Sequence, residues 1–266
     1  MSKFIKLLDE KQAVKLVKKK YLSKIKCPRC GRIRYVRQLS NRYWCRKCRY
    51  KFSLRISLGF KYSKLTIRQI LKAIHCFSEK VPLRIAQDLI EVSYPSIRRI
   101  YSHLRKNLPR DDLMLGGDII VDECFIGKRR NGNQSVIIGA VNREFDHICL
   151  EIVETREQGI VEKFLTDNIL TDSLITTDGF LSYIDIEWYG YGHRIEYHDR
   201  WQLKYSSAIE RVWALLKTML RRIYHHVTKE KLSEYLQEFL ARFNYKEIVS
   251  KPANLLSYLI SNVPSA

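Results

Sequence analysis

The chain of 266 residues is 45% hydrophobic, which is enough to bury a sizeable core and excludes a disordered protein. Its formal net charge of +20 is segregated: residues 1–110 contain 30 Lys and Arg against 5 Asp and Glu, and the remainder contains 18 against 23. No run reaches the roughly 18 apolar residues of a membrane span, and the first residues lack a signal-peptide core, so we expect a cytoplasmic protein whose N-terminal part binds a polyanion.

The first element is a pair of Cys-x-x-Cys motifs within a basic N-terminal segment, residues 1–60. Fourteen residues separate the two motifs, whose cysteines are Cys27, Cys30, Cys45 and Cys48. Four thiolates are the number that a closed tetrahedral Zn²⁺ site needs, and the paired spacing argues against a redox-active pair. Three short strands are expected around the motifs, at 31–36, 42–44 and 50–54, with a turn at Ser40-Asn41. We therefore predict a zinc ribbon at about 24–57, folded largely by its metal.

Residues 61–110 predict a small domain of three short helices. Thr66 and Gln69 form a capping-box pattern at the start of the first helix, and Pro82 fits the first turn of the second. The second helix should turn three residues inward: Ile85, Ala86 and Leu89. The third helix should bury an apolar face and leave three arginines outward: Arg98, Arg99 and Arg105. An exposed basic face of this kind is what a helix-turn-helix needs to read the DNA major groove.

The charge balance changes sign near residue 110, where we place the start of a third domain, 111–250. Alternation predicts five strands, at 117–125, 134–142, 146–155, 173–177 and 193–198. Periodicity predicts four helices, at 159–169, 179–184, 206–223 and 229–244. Strands joined by short turns, such as Asn131-Gly132-Asn133, should pair as an antiparallel meander, and the later strands should join through helices. The expected fold class is α/β, a mixed RNase H-like sheet flanked by helices, with a C-terminal tail at 251–266.

Three acidic residues lie on separate predicted elements of this domain. Asp122 interrupts a buried strand, Asp178 ends another, and Glu210 lies near the start of a long helix, with Lys217 about 20° away on the helical wheel. A buried carboxylate is costly unless it is paired or binds a metal, and three of them can hold one or two divalent ions for phosphodiester chemistry. Strand alternation turns Asp122 and Glu123 to opposite faces, and the pattern alone does not choose between them.

The motifs, taken in order, resemble those of a DDE transposase of a bacterial or archaeal insertion sequence, with an N-terminal zinc ribbon and an ISXO2-like catalytic domain. The resemblance covers about residues 24–245, and it depends on the two cysteine motifs and on the segments 121–128, 177–179, 209–217 and 224–227. It implies that Asp122, not Glu123, is the metal ligand, and that Lys217 contacts DNA beside the site.

One position departs from the family pattern, because many relatives carry Asn where this chain has Ser207. In some relatives that Asn is counted as the third site residue, whereas here only Glu210 offers a carboxylate. We therefore take Asp122, Asp178 and Glu210 as the ligands of the catalytic ions. His225 and His226 also match the family pattern, but we do not assign them as ligands.

The resemblance implies an enzyme that binds the terminal inverted repeats of an insertion sequence, cuts its ends to give 3′-hydroxyls and joins them to target DNA. Two Mg²⁺ or Mn²⁺ ions, about 4 Å apart, would serve both steps. The expected partners are the double-stranded DNA of the ends and target and further copies of the chain, as a homodimer or larger assembly in the nucleoid. The alternatives are a transcription regulator with an inactive catalytic domain and a nuclease or resolvase on the same fold.

Overall fold

The computed structural model describes residues 9–21, 25–39, 42–58, 60, 64–110, 113–127, 134–178, 183, 185–196, 207–225 and 227–262. The chain divides into two compact units. The basic unit comprises Met1–Leu108 together with Lys246–Ala266, and the sheet unit comprises Pro109–Tyr245. None of the helices within the described ranges has the length and apolar character needed to span a membrane.

The cysteine-rich part of the basic unit is a small antiparallel sheet. Its strands are β1 (Val36–Gln38), β2 (Tyr43–Cys45) and β3 (Lys51–Phe52), with β2 in the centre. The rings of Tyr43 and Phe52 stack at 5.6 Å between centroids and form its core. The strand expected at 31–36 lies further along the chain, as β1, because residues 33–35 form a turn. The strand expected at 50–54 is shorter than predicted, because a short helix, α2 (Leu54–Ser57), begins directly after Ser53. The expected Ser40-Asn41 turn lies outside the described residues.

Four further helices of the basic unit pack around an apolar core: α1 (Glu10–Tyr21), α3 (Ile67–Ser78), α4 (Leu83–Ile90) and α5 (Tyr94–Lys106). The predicted capping box of Thr66 and Gln69 is confirmed at the start of α3. Glu10 of α1 adds a second cap, since its carboxylate accepts hydrogen bonds from the backbone N–H groups of Ile67 (2.9 Å) and Arg68 (2.8 Å). An anion at a helix N-terminus stabilises both helices and fixes α1 against α3.

Two predictions about these helices were wrong. In α4 the buried residues are Ala86 and Ile90, whereas Ile85 and Leu89 are 54% and 41% exposed. A helix of eight residues presents only one i, i+4 pair to the core. A small error in the predicted direction of its buried face therefore assigns the wrong residues to the core. In α5 Arg105 is only 6% exposed, because it follows the buried Tyr101 by four residues and so lies on the same side. Arg98 and Arg99 are exposed, as predicted.

The described part of the sheet unit contains five strands: β4 (Asp118–Ile126), β5 (Ser135–Asn142), β6 (Ile148–Val153), β7 (Leu174–Thr177) and β8 (Gly192–Ile195). Their order is β6-β5-β4-β7-β8. The first three pair antiparallel, whereas β7 is parallel to β4 and β8 is parallel to β7. This mixed sheet confirms the predicted RNase H-like α/β class. The predicted Asn131-Gly132-Asn133 turn and residues 197–198 of the fifth predicted strand lie outside the described residues.

Helices cover both faces of this sheet. On one face, α6 (Gln158–Asn168) packs Val161, Phe164 and Leu165 against a core that includes Val121 and Ile138. On the other face lies α7 (Ser207–Met219), which ends in a π-helical turn, Leu220–Tyr224. Of the short helix expected at 179–184, only Tyr183 is described, and a 3₁₀ helix follows at Ile186–Tyr189.

Within residues 227–262, which the structure describes, three helices follow: α8 (Lys229–Asn244), α9 (Lys246–Val249) and α10 (Pro252–Ser261). The segment expected as a C-terminal tail thus contains α10, which buries four residues: Leu255, Leu256, Leu259 and Ile260. It contacts α3 within the basic unit.

A buried charge cluster ties the π-helical turn to α8. Glu238 is fully buried, accepts a hydrogen bond from the Tyr224 hydroxyl (2.7 Å) and pairs with the Arg242 guanidinium (2.7 Å). Replacing Arg242 by Ala removes the countercharge, so we expect the free energy of unfolding to fall by about 3–5 kcal/mol. Urea denaturation should measure this loss, with Arg222→Ala on the exposed side of the turn as the control. Equal losses in the two variants would contradict the importance of the cluster.

Candidate functional site

The four cysteines of the ribbon converge. Their Sγ atoms all lie within 4.8 Å of one another. Cys27 is 3.4 Å from Cys48, and Cys30 is 3.6 Å from Cys45. A tetrahedral zinc site with Zn–S bonds of about 2.3 Å requires sulfur atoms about 3.8 Å apart. The donor set and its spacing therefore fit one Zn²⁺.

The electrostatics of these thiols also favour a cation. Burial raises the pKa of Cys27 to about 12. Burial acts in the same direction on Cys45, but the backbone N–H groups of Cys48 and Lys47 outweigh it and lower the pKa of Cys45 to about 7. Four neighbouring thiols cannot all become thiolates unless a positive ion compensates their charge. The site is therefore suited to a metal and not to four free thiolates.

Asp122 lies in the middle of β4, on the face of the sheet that α7 covers. The indole Nε1–H of Trp213 in α7 donates a hydrogen bond to its Oδ2 at 2.8 Å. In the β4–β5 ladder Asp122 is opposite Gly139. A Cβ atom at Gly139 would meet Trp213 Cζ2 at 2.8 Å and Leu150 Cδ2 at 2.7 Å. The missing side chain therefore makes room for the indole beside the carboxylate.

Asp178 follows β7 directly. The parallel β4–β7 register pairs Ile119 with Ile175 and Ile120 with Thr176. Continued by two residues along both chains, this register would place Asp178 beside Asp122 on the same face, since side chains alternate with a period of two. Burial and then Glu123 raise the pKa of Tyr183 most, and the charges of Asp122 and Asp178 both raise it further. The two aspartates therefore lie in the same region of the sheet.

Glu123 points to the opposite face, as strand alternation requires. Its side chain is 4% exposed, accepts a hydrogen bond from the Tyr183 hydroxyl (2.6 Å) and lies 4.0 Å from the Arg156 guanidinium. Burial raises the pKa of Glu123, the Tyr183 hydrogen bond lowers it, and the charges of Asp122 and Asp178 raise it further. Glu123 is thus enclosed by protein partners, whereas Asp122 and Asp178 share the α7 face.

Two predicted site residues lie on α7, and they differ in their placement. Lys217 reaches the buried Cys124, two residues after Asp122 on β4; burial raises the pKa of that thiol, and the charge and hydrogen bond of Lys217 lower it. Glu210 is exposed, one turn before Trp213. Among the described residues, the cysteine cluster is the one group of three or more potential ligands close enough to share a metal ion. Glu210 and the two aspartates therefore do not lie close enough together in this structure to share one ion.

The remaining predicted residues of this region are placed only in part. The side chain of Ser207 and the whole of His226 lie outside the described residues. His225 ends the π-helical turn, exposed, with a φ of 57° that is uncommon for a residue other than glycine.

Three residues at the site escaped the sequence reasoning: Trp213, Gly139 and Tyr183. Gly139 carried a usable signal, because a glycine inside the apolar strand 135–142 marks a close approach of another group. Trp213 follows Glu210 by three residues and was quoted in its motif, but its spacing does not reveal a partner 91 residues away. Tyr183 lies in an irregular segment, where periodicity gives no information.

Comparison with known proteins adds an independent finding. The family described as ISXO2-like transposase domain matches residues 111–244, about half of the chain. No curated protein matches significantly.

The solved structures with detectable similarity include viral integrase and intasome structures. The HTLV-2 integrase catalytic core domain in complex with magnesium matches in its trimeric form with 12% identity and a TM-score of 0.34, over 50% of this chain and 87% of that chain. The dimeric form matches with 13% identity and a TM-score of 0.35, over 55% and 99%. A simian T-cell lymphotropic virus intasome in complex with PP2A regulatory subunit B56 gamma matches with 15% identity and a TM-score of 0.35, over 62% and 66%.

Proposed function

The chain belongs to the ISXO2-like transposase family, and from this premise we propose that it cuts the ends of an insertion sequence and joins them to target DNA. The observation that carries the proposal is the β4–β7 register, whose continuation by two residues places Asp178 beside Asp122. Two carboxylates there suit a hard divalent cation such as Mg²⁺ or Mn²⁺. Held by these residues, such a cation would help to activate a water or hydroxyl nucleophile and to stabilise the leaving oxygen of a phosphodiester.

The other residues of the site have supporting roles in this proposal. We propose Glu210 as the third carboxylate, because it lies on α7 one turn before the residue that binds Asp122. Lys217 is half-buried beside β4 and is suited to hold a phosphate of the bound strand next to the aspartates. Glu123 is held on the opposite face of the sheet by its hydrogen bond with Tyr183 and its ion pair with Arg156.

The basic unit is proposed to bind the terminal inverted repeats. Its exposed arginines include Arg98 and Arg99 on α5 and a group on the ribbon: Arg32, Arg34, Arg37 and Arg46. Arg105 is not proposed as a DNA contact, because it is buried in the helical core. One structural Zn²⁺, held by the four cysteines, would keep the ribbon arginines in place. Since two ends must be joined, we propose a homodimer or larger assembly on DNA.

Binding of a terminal-repeat duplex should weaken steeply with salt. If six phosphates are contacted, the affinity should fall by roughly 10³-fold between about 50 and 200 mM salt, because binding releases counterions from the DNA. Fluorescence anisotropy across a salt series measures the slope. Arg99→Ala should reduce its magnitude by about one, whereas Arg143→Ala, which removes an arginine paired with Asp118, should leave it unchanged. A flat salt response would contradict the proposed role of the basic unit.

The function itself is tested with labelled DNA of the insertion-sequence ends, with and without Mg²⁺. We expect cleavage that leaves 3′-hydroxyls, followed by joining to a target plasmid, and both steps should require the metal and the repeat. Binding to the repeat without cleavage would instead indicate a transcription regulator. Cleavage that does not depend on the repeat would indicate a nuclease or resolvase. Either outcome would overturn the proposal.

A further inference from the structure

We propose that Trp213 is the positioning residue of the metal site, and that its indole N–H holds Asp122 in the orientation in which its other oxygen faces a cation. This inference rests on the proposed function. It begins from the 2.8 Å hydrogen bond between Trp213 Nε1 and Asp122 Oδ2. A carboxylate has two oxygens that each accept more than one bond, so the Trp213 donor on Oδ2 orients the group without exhausting its capacity to bind a metal.

The chemistry of the donor matters. An indole N–H donates one hydrogen bond, carries no charge and accepts none. It therefore fixes the carboxylate without neutralising it, whereas a lysine or arginine at the same position would compete with a cation for the negative charge. Partners behind a metal ligand commonly act in this way, by fixing its orientation.

The position of the indole is set by the sheet itself. Trp213 is 5% exposed and its ring lies over Gly139, the residue opposite Asp122 in the ladder. A Cβ atom at Gly139 would lie 2.8 Å from Cζ2 of the ring, closer than side chains normally pack. The same pair of strands therefore holds both the carboxylate and the space for the group that orients it.

The helix that carries the indole is itself packed on the same two strands. α7 contacts both β4 and β5, and its residues Val212 and Leu216, on either side of Trp213, are fully buried. Trp213 thus couples the placement of α7 to the orientation of Asp122.

The first test follows the indole of the wild-type protein directly. The chain contains 4 tryptophans, so ¹⁵N-tryptophan labelling gives four indole signals, and the spectrum of Trp213→Phe is needed only to assign the signal of interest. We expect this signal to shift with Mg²⁺ and to broaden strongly with Mn²⁺. Asp122→Asn should abolish both effects.

The second test measures Mn²⁺ affinity by titration calorimetry on the full chain. Trp213→Phe keeps a ring but removes the donor, and it should weaken Mn²⁺ binding roughly 10- to 100-fold. Higher Mn²⁺ concentrations should restore part of its cleavage activity. Gly139→Ala, which displaces the indole without removing it, should have the same effect. Met219→Ala is the matched control, because it removes a buried side chain of the same helix about 9 Å further along the axis.

The outcomes separate the inference from the function. Unchanged Mn²⁺ affinity in Trp213→Phe, or an equal loss in Met219→Ala, would overturn the positioning role while wild-type cleavage continued to support the proposed function. An indole signal that ignores the metal in a wild-type protein that binds it would also overturn the inference. A wild-type protein that neither binds Mn²⁺ at Asp122 nor cleaves DNA would overturn both.

Discussion

Replacing Asp122 by Asn is expected to slow DNA-end cleavage and strand transfer by roughly 10³-fold or more, with no change in affinity for the ends. Asn keeps the shape of the side chain and an oxygen that accepts the Trp213 hydrogen bond, but it loses the charge that holds the cation. A metal supplies several kcal/mol of charge stabilisation, and a loss of about 4 kcal/mol corresponds to a factor of roughly 10³ in rate. Single-turnover cleavage of labelled ends, with anisotropy for binding, measures the two effects separately.

Two matched variants make this prediction specific. Asp118→Asn changes the same residue type on the same strand, but Asp118 pairs with Arg143 (2.9 Å) and Arg194 (3.6 Å) away from the two aspartates. It should cleave at close to the wild-type rate. Glu123→Gln tests the neighbouring carboxylate, which is enclosed by Tyr183 and Arg156, and it should retain far more activity than Asp122→Asn. A purified Asp122→Asn protein that nicks the ends as the wild type does would remove Asp122 from the site.

The same loss is expected when Asp178 is changed to Asn, because the β4–β7 register, continued by two residues, places Asp178 beside Asp122.

The positions of the two aspartates explain what the sequence could predict of the site. Each aspartate interrupts or ends an apolar strand, and the carboxyl ends of neighbouring parallel strands meet at one edge. Alternation alone did not choose between Asp122 and Glu123, and the family resemblance favoured Asp122. The structure is consistent with that choice, because Tyr183 donates a hydrogen bond to Glu123, whereas Asp122 faces α7.

The errors have physical causes as well. Long strands with regular alternation were predicted to within about two residues. A shift of one residue along such a strand would turn every buried side chain to the other face, so the hydrophobic pattern fixes its position. The eight-residue α4 contains too few residues to fix a face, which is why Ile85 and Leu89 were misplaced. Arg105 lies on the longer α5, and its spacing of four residues from the buried Tyr101 did carry the signal that it faces the core. Glu210 was predicted on the correct helix, but periodicity gives an angle around an axis and not a distance to a strand. The contact between Trp213 and Asp122 likewise depends on tertiary packing that no local pattern encodes.

The second large effect is expected from the zinc site. Replacing Cys45 by Ser should abolish stoichiometric zinc binding and most of the affinity for the DNA ends. The ribbon consists of three strands of two or three residues, and its core is little more than Tyr43 and Phe52. A structural zinc site provides about 10–16 kcal/mol of apparent binding free energy, far more than so small a core can provide. Loss of one thiolate should therefore unfold the ribbon, and its arginines would no longer be held in the arrangement that binds DNA.

Zinc content by mass spectrometry, anisotropy with end DNA and thermal melting together measure this outcome. Because the sheet unit is compact in itself, its melting transition should persist in Cys45→Ser. A protein that has lost only its ribbon keeps this transition, whereas a protein that is misfolded as a whole does not. Cys149→Ser is the matched control, since Cys149 lies in β6 and outside the cysteine cluster, so zinc and DNA binding should be retained. A Cys45→Ser protein that loses its zinc but binds the ends normally would place recognition on the α5 arginines alone, whereas one that keeps its zinc would show that three thiolates suffice.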